Sequence, residues 1–493
     1  MHSPVEQYAQ RTTHPGLARR ASAAATVSLL LLSLAQPASA APGDHAEQEE
    51  AAPEQTAELE QLLDQREAEE AQPSDLETHE VPEGVDLDEA EDAVESSDEV
   101  TSEDVRYAAA AEDLAASTDT DFYAVPEGLP ETDGALIRQQ PGTFYLDPIQ
   151  LIEHDASVNT VMYRTTDSNG AARAAVASIL EPAHRDDDAQ RPVVVHAPGT
   201  QGMGDQCAPS RQMAAGTQYE GLSIAAALEA GYSVVIPDYI GLGTAGTHTY
   251  MNRVDQGNAV LDAARAAQQA EGVAITDQNP IHIRGYSQGG GAAAAALELA
   301  PERAPELNLS SGAAGAVPAD LGDVSAQIDS SLYNAFLLFA MSGIFESEGL
   351  DPAEFLNAEG QDRLAEASQQ CLIPALINHK FVDTSTLTAD GSSFTDLIQE
   401  EPFTSILATQ VIGEGRSPQV PVQINHSALD DVIPYSTGQN LAQRWCAAGS
   451  HVTFSSNLGP THIGGYVAGL PGVALFTSRT LSQRSVLNSC WRL

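Results

Sequence analysis

The sequence predicts an α/β fold, a mostly parallel β-sheet with helices on both faces. Three observations carry that expectation. Residues 192–197 form a nearly continuous apolar run, as a strand covered on both faces requires. Alanine-rich helical stretches alternate with such runs between about 191 and 300. The run Ile281-His282-Ile283 leads through Arg284 into Gly285-Tyr286-Ser287-Gln288-Gly289, and an alanine-rich segment over 292–300 follows. Strand, tight turn and helix make that Gly-x-Ser-x-Gly a candidate nucleophile elbow.

In chain order, the N-terminus reads as an export signal. Arg11, Arg19 and Arg20 precede an apolar run over 21–35, and Ala38-Ser39-Ala40 supplies small residues for cleavage. Residues 1–40 are therefore expected to be a signal peptide, with Ala41 the mature start. The apolar run is short for a membrane span. Residues 41–119 are acidic and nearly free of aromatics, so disorder is expected there. The chain carries 70 acidic against 22 basic residues, a formal charge of -48. Such a balance argues against nucleic-acid binding, which needs concentrated Lys and Arg.

Residues 120–493 are expected to form the catalytic domain. Strands are expected at 160–165 and 191–197, with a turn at Asn169-Gly170. A helix over 219–230 closes at Gly231, a strand follows over 232–237, and a helix over 254–269 precedes the elbow strand. After Leu307 the period breaks. Residues 315–403 read as a helical insertion, with apolar clusters at residues 336–341 and at Phe355-Leu356. A cap over the site is the expectation, with ordinary helical packing inside one domain as the rival. Strands resume over 420–425 and 451–454.

Cys207, Cys371, Cys446 and Cys490 are an even, sparse set in a chain expected to be exported, which suggests two disulfides. Sequence alone leaves all three pairings open. No close Cys-x-x-Cys points to zinc or redox chemistry, and Gly241-Leu242-Gly243 by itself is no phosphate-binding signal.

A serine hydroxyl is a poor nucleophile at neutral pH and needs a base oriented by a carboxylate. Ser287 is the candidate nucleophile. After the strand over 420–425 come two adjacent carboxylates, Asp430 and Asp431; Asp430 is preferred as the acid and Asp431 is the reserve. His462 lies in a glycine-rich stretch after the last clear strand and is the candidate base, with His451 as a competitor that starts a strand. His426 precedes the acid and lines the same region. For the oxyanion, Gln288 is expected to give one backbone N–H. Thr200 or Gln201, in the loop after 193–197, would give the other. Residues 238–243 are expected to shape the pocket.

Several stretches together resemble the secretory lipase family of α/β hydrolases, which includes a Candida A-type lipase and exported actinobacterial lipases. They are Asp121-Phe122-Tyr123, Pro198-Gly199-Thr200-Gln201-Gly202, Cys207-Ala208-Pro209-Ser210, Gly285-Tyr286-Ser287-Gln288-Gly289-Gly290, Asp430-Asp431-Val432-Ile433-Pro434-Tyr435, Arg444-Trp445-Cys446 and Thr461-His462. The acidic, alanine-rich character resembles the corynebacterial branch. The likeness runs from about Asp121 to the C-terminus, and the acidic region before it inherits no role.

The resemblance implies an α/β-hydrolase fold with a helical cap after the nucleophile strand. It implies Ser287, Asp430 and His462 as the triad, and pairings Cys207 with Cys371 and Cys446 with Cys490. It further implies an exported or envelope-associated triacylglycerol lipase that needs no cofactor and no metal, acting on lipid or small esters and meeting a lipid–water interface. The alternatives are a short-chain esterase, a cell-envelope acyltransferase with the same triad, and a non-catalytic envelope scaffold.

Overall fold

A computed structural model describes residues 121–183 and 191–493. The expectations for 1–40 and 41–119 lie outside the described residues. Nine strands form one sheet among those residues. They are β1 (Leu136–Pro141), β2 (Ala156–Thr166), β3 (Ala172–Pro182), β4 (Val193–Ala197), β5 (Ser233–Pro237), β6 (Ile281–Tyr286), β7 (Leu309–Gly315), β8 (Val422–Ser427) and β9 (Val452–Asn457). The spatial order is β1-β2-β3-β5-β4-β6-β7-β8-β9. From β5 to β9 all neighbours are parallel, while β1, β2 and β3 extend the sheet antiparallel at one edge.

Helices cover both faces, as the alternation in β5 shows. Val235 packs with α3 (Arg253–Ala267) and α4 (Gln288–Arg303), which follow α1 (Pro209–Ala215) and α2 (Gly221–Glu229) in the chain. Its neighbours Val234 and Ile236 point the other way and pack with Ile224 and Leu228 of α2. Successive side chains of a strand face opposite sides, so two cores on one strand require two helical layers. The α3–α4 layer is rich in alanine and glycine, including the fully buried Ala263 and Ala292 to Ala296. Small side chains let those helices lie close to each other and to the sheet.

Strand β7, Leu-Ser-Ser-Gly-Ala-Ala-Gly, follows α4 and was not anticipated from the sequence. Between β7 and β8 lies the helical insertion: α5 (Leu321–Ile328), α6 (Ala335–Glu348), α7 (Ala358–Ala367), α8 (Leu372–His379), α9 (Phe394–Leu397) and α10 (Phe403–Gln410). It has its own apolar cluster around Phe339, Phe345, Phe394 and Phe403, and that cluster continues onto Tyr286, Val432 and Ile433. The insertion is thus packed directly over the C-terminal ends of β6 and β8. Two further helices, α11 (Tyr435–Ala447) and α12 (Thr461–Leu481), flank β9.

The disulfides are Cys207–Cys371 and Cys446–Cys490. The first ties the insertion to the segment after β4. Around it, Leu372 N–H donates to Gln201 O at 2.9 Å and Met203 N–H donates to Gln370 O at 3.0 Å. It closes 164 residues of chain. Cross-links of that span typically contribute about 2–5 kcal/mol, chiefly by restricting the unfolded chain. Replacing both Cys207 and Cys371 with serine is therefore expected to lower the thermal midpoint by several degrees. Differential scanning calorimetry checks this, and an unchanged midpoint would contradict it.

Candidate active site

The elbow forms where β6 ends and α4 begins. Ser287 has φ 59° and ψ -123°, a conformation rare for a residue with a side chain. The turn is tight because Gly289 abuts the preceding loop: a Cβ there would lie 2.1 Å from Ala197 O. Ser287 N–H donates to Gly315 O at 3.0 Å, so β7 anchors the backbone of the candidate nucleophile. Gln288 begins α4, whose first N–H groups have no intrahelical acceptor.

Asp430 and His462 follow β8 and β9, and Ser287 follows β6. All three therefore stand at the C-terminal ends of parallel strands. The His462 ring is 5.0 Å from that of Tyr286, and Tyr286 OH donates to His462 O at 2.8 Å. His462 Nδ1 lies 2.9 and 2.8 Å from the two carboxylate oxygens of Asp430. Asp430 also accepts the N–H groups of Val432 and Ile433 at 3.0 and 2.9 Å. Burial works against its charge, but the His462 hydrogen bond and charge and the Ile433 N–H hold its carboxyl below the usual range. With Nδ1 donating to a carboxylate, Nε2 of a neutral His462 carries the lone pair. That nitrogen is buried and has no hydrogen-bond partner.

His462, expected in a glycine-rich loop, is instead the second residue of α12. The glycines serve packing rather than looseness. A Cβ on Gly465 would sit 2.7 Å from Ser427 Cβ, at the end of β8. Asp431 has a different task from its neighbour: it accepts His462 N–H at 2.7 Å and the Tyr333 hydroxyl at 2.6 Å. It ties the first turn of α12 to the insertion. His426 is buried, with Nε2 donating to Ile433 O at 3.1 Å and lying 3.6 Å from Asp430 Oδ2. His451 precedes β9, whereas the site lies beyond the strands' C-terminal ends, and its Nε2 faces Leu487 O at 3.3 Å.

Of the oxyanion candidates, Gln288 has its side chain tied to His248. Its Nε2 donates to His248 Nε2 at 2.9 Å, while His248 Nδ1–H donates to Ile240 O at 2.9 Å. Burial pushes His248 down to about 4, so it stays neutral and one tautomer serves both bonds. Thr200 shares a 2.7 Å hydrogen bond with the Tyr250 hydroxyl. Gln201 Nε2 donates to Gly199 O at 3.1 Å. Tyr239, in the stretch expected to shape the pocket, donates to Pro198 O at 2.9 Å. His248, Tyr250, Tyr333 and the separate role of Asp431 escaped sequence reading. His248, Tyr250 and Tyr333 stand in no motif, and each of the four acts through a partner distant in the chain.

Ser287 lines a small apolar cavity of about 40 Å³, walled by Tyr250, Leu321, Ile328, Leu337 and Ile433 among others. Ligand clefts usually begin near roughly 300 Å³. The insertion's first two helices supply most of that wall.

Comparison with known proteins agrees with this architecture. The family described as "Secretory lipase" matches residues 207–485. A probable inactive lipase of Mycobacterium tuberculosis is 28% identical over 365 residues, spanning 70% of this chain and 78% of that protein. A secreted triacylglycerol lipase of Malassezia furfur is 28% identical over 334 residues, 64% of this chain and 69% of that one. Lipase 10 of Candida albicans is 26% identical over 353 residues, 67% and 74% of the two chains. Among solved structures, Candida antarctica lipase A in its closed state superposes with a TM-score of 0.67 at 23% identity, over 76% of this chain and 88% of that one.

Proposed function

The chain belongs to the secretory lipase family, and from that premise we propose that it is an exported triacylglycerol lipase working through an acyl-serine at Ser287. The carboxylic-ester hydrolase class follows from the family and its named lipases. The observation that carries the site assignment is His462, held through Nδ1 by both oxygens of Asp430 with Nε2 left unpartnered beside the elbow.

In this reading His462 Nε2 takes the Ser287 proton as Oγ attacks the ester carbonyl. The carbonyl π electrons move onto oxygen, where the Gln288 N–H and a donor from Thr200 or Gln201 receive the charge. As the intermediate collapses, His462 returns the proton to the departing alcohol. Water then attacks the acyl-serine by the same route in reverse and releases the acid. The ionised Asp430 stabilises the imidazolium formed in each half. Apolar walls around Ser287 suit an acyl chain. The small cavity implies that the insertion acts as a cap and must shift before a long chain enters.

The reading of residues 1–40 as a signal peptide supports export, and relatives named as secreted lipases agree with it. Among the described residues no helix is long and apolar enough to cross a membrane. One relative is named a probable inactive lipase. In this chain all three triad residue types are present, and the Asp430–His462 pair is formed.

A chain-length series of glycerol and nitrophenyl esters, assayed with and without an emulsion, tests the substrate. Turnover of long-chain triacylglycerols that rises once an interface forms is expected. Activity confined to short soluble esters would instead favour the esterase alternative. Acyl ester appearing on an added acceptor alcohol in place of free acid would favour transfer.

A further inference from the structure

Beneath the loop that follows β4 lies a buried charged cluster with no part in the mechanism above. Glu220, which precedes α2, is 1% exposed. One carboxylate oxygen accepts Gly199 N–H at 2.9 Å. The other lies 3.3 Å from Nε2 of His196, on β4. Arg284, on β6 three residues before the nucleophile, directs Nε–H at His196 Nδ1 from 3.3 Å and donates through Nη2 to Ser223 O at 2.9 Å. Because arginine can only donate, His196 Nδ1 is the acceptor and its Nε2–H faces Glu220. The carboxylate is thus hydrogen-bonded by Gly199 N–H on one side and faces the His196 ring at ion-pair range, without a hydrogen bond, on the other.

Burying such a group costs stability unless it is well paired, and apolar replacements of similar size are often as stable. Its placement has a specific consequence. Tyr239 holds Pro198 O, Glu220 holds Gly199 N–H, and Gln201 Nε2 holds Gly199 O. In a planar trans peptide the N–H points opposite to the C=O. Fixing Gly199 O therefore fixes the direction of Thr200 N–H. We infer that Glu220, which with Tyr239 pins the Pro198–Gly199 peptide while Gln201 pins the next one, is a positioning residue for the loop whose Thr200 N–H is the second oxyanion donor. The inference rests on the acyl-serine reading.

Glu220→Gln keeps the size and one acceptor oxygen but loses the charge that faces His196 and Arg284. Misplacing a reacting group by about 1 Å can cost on the order of 10²-fold. With a soluble nitrophenyl ester, kcat is expected to fall by roughly 10- to 100-fold while KM stays within about twofold. The inhibition constant of an alkyl boronic acid, whose serine adduct carries a tetrahedral oxyanion, should rise in step with the loss in kcat. A purely structural role would lower the thermal midpoint without that matched change. Should Glu220→Gln not fold, His196→Gln is read by the same two constants. Unchanged kcat, or a lower kcat with an unchanged boronic acid constant, overturns the inference. Ser287→Ala is assayed alongside. Activity surviving there breaks the acyl-serine reading, whereas a dead Ser287→Ala beside a wild-type-like Glu220→Gln breaks only the positioning role.

Discussion

Ser287→Ala is expected to lower kcat for ester hydrolysis by about 10⁶-fold while leaving the fold intact, because removing a triad nucleophile typically costs that much. The fold should survive for local reasons. The side chain is half-buried at a cavity wall, and the elbow geometry is held by backbone contacts. Ser287 N–H keeps its bond to Gly315 O, and Gly289 keeps its contact with Ala197 O. The positive φ is a cost that serine already carries, and alanine adds no bulk to it. Circular dichroism and the thermal midpoint should match the wild type within a few degrees. Undiminished activity would remove Ser287 from the mechanism.

Asp430→Asn is expected to lower kcat by about 10⁴-fold. An amide can turn its NH₂ toward His462 Nδ1 and so favour the tautomer with the proton on Nε2, where it blocks the base. Asp431→Asn provides the contrast. Asp431 binds the backbone N–H of His462 and the Tyr333 hydroxyl rather than the imidazole. Its loss should shift the α12 turn and cost on the order of 10-fold, as a positional effect. Equal losses in the two variants would contradict the division of labour between these neighbours. A pH series adds a second test. The folded pKa of Asp430 lies below its ordinary value. Its contribution to stability is therefore fully present above the ordinary carboxylate range and is lost as pH falls through the folded pKa. The wild type should lose its advantage in thermal midpoint over Asp430→Asn only at pH below the ordinary range for aspartate. A gap that closes near neutral pH would contradict this.

The parts of the site that could be read in the sequence are those where chemistry imposes a local pattern. Gly-x-Ser-x-Gly between a β-prone run and an alanine run is one, because the elbow needs close packing on both sides of the serine. An acid and a histidine after successive later strands are another, because parallel strands deliver their C-terminal ends to one edge of the sheet. That edge also separates His462, after β9, from His451, before it. Adjacent carboxylates are harder. Which of Asp430 and Asp431 turns toward the imidazole depends on the path of the loop, and only the resemblance to the family's pattern, not local chemistry, favours Asp430.

Three strands escaped for a related reason. Strand β3 is rich in alanine, and β7 consists of Leu309 followed only by serine, glycine and alanine, so neither shows β-branched patterning. Those small residues answer to their neighbours. A Cβ on Gly312 would meet Leu297 of α4 at 2.4 Å. Strand β1 is polar and half-exposed at the sheet edge, where little apolar signal is required. Glu220 and His248 act through residues far along the chain, so only the folded structure brings them to the site.

The central claim is that one serine carries the acyl group. The most direct measurement is labelling with a nitrophenyl alkylphosphonate, followed by intact mass and peptide mapping. One phosphonyl group per chain is expected, on Ser287, with nitrophenol released in equal amount and no label on Ser287→Ala. A label on another residue, or full inactivation without any adduct at Ser287, would contradict it.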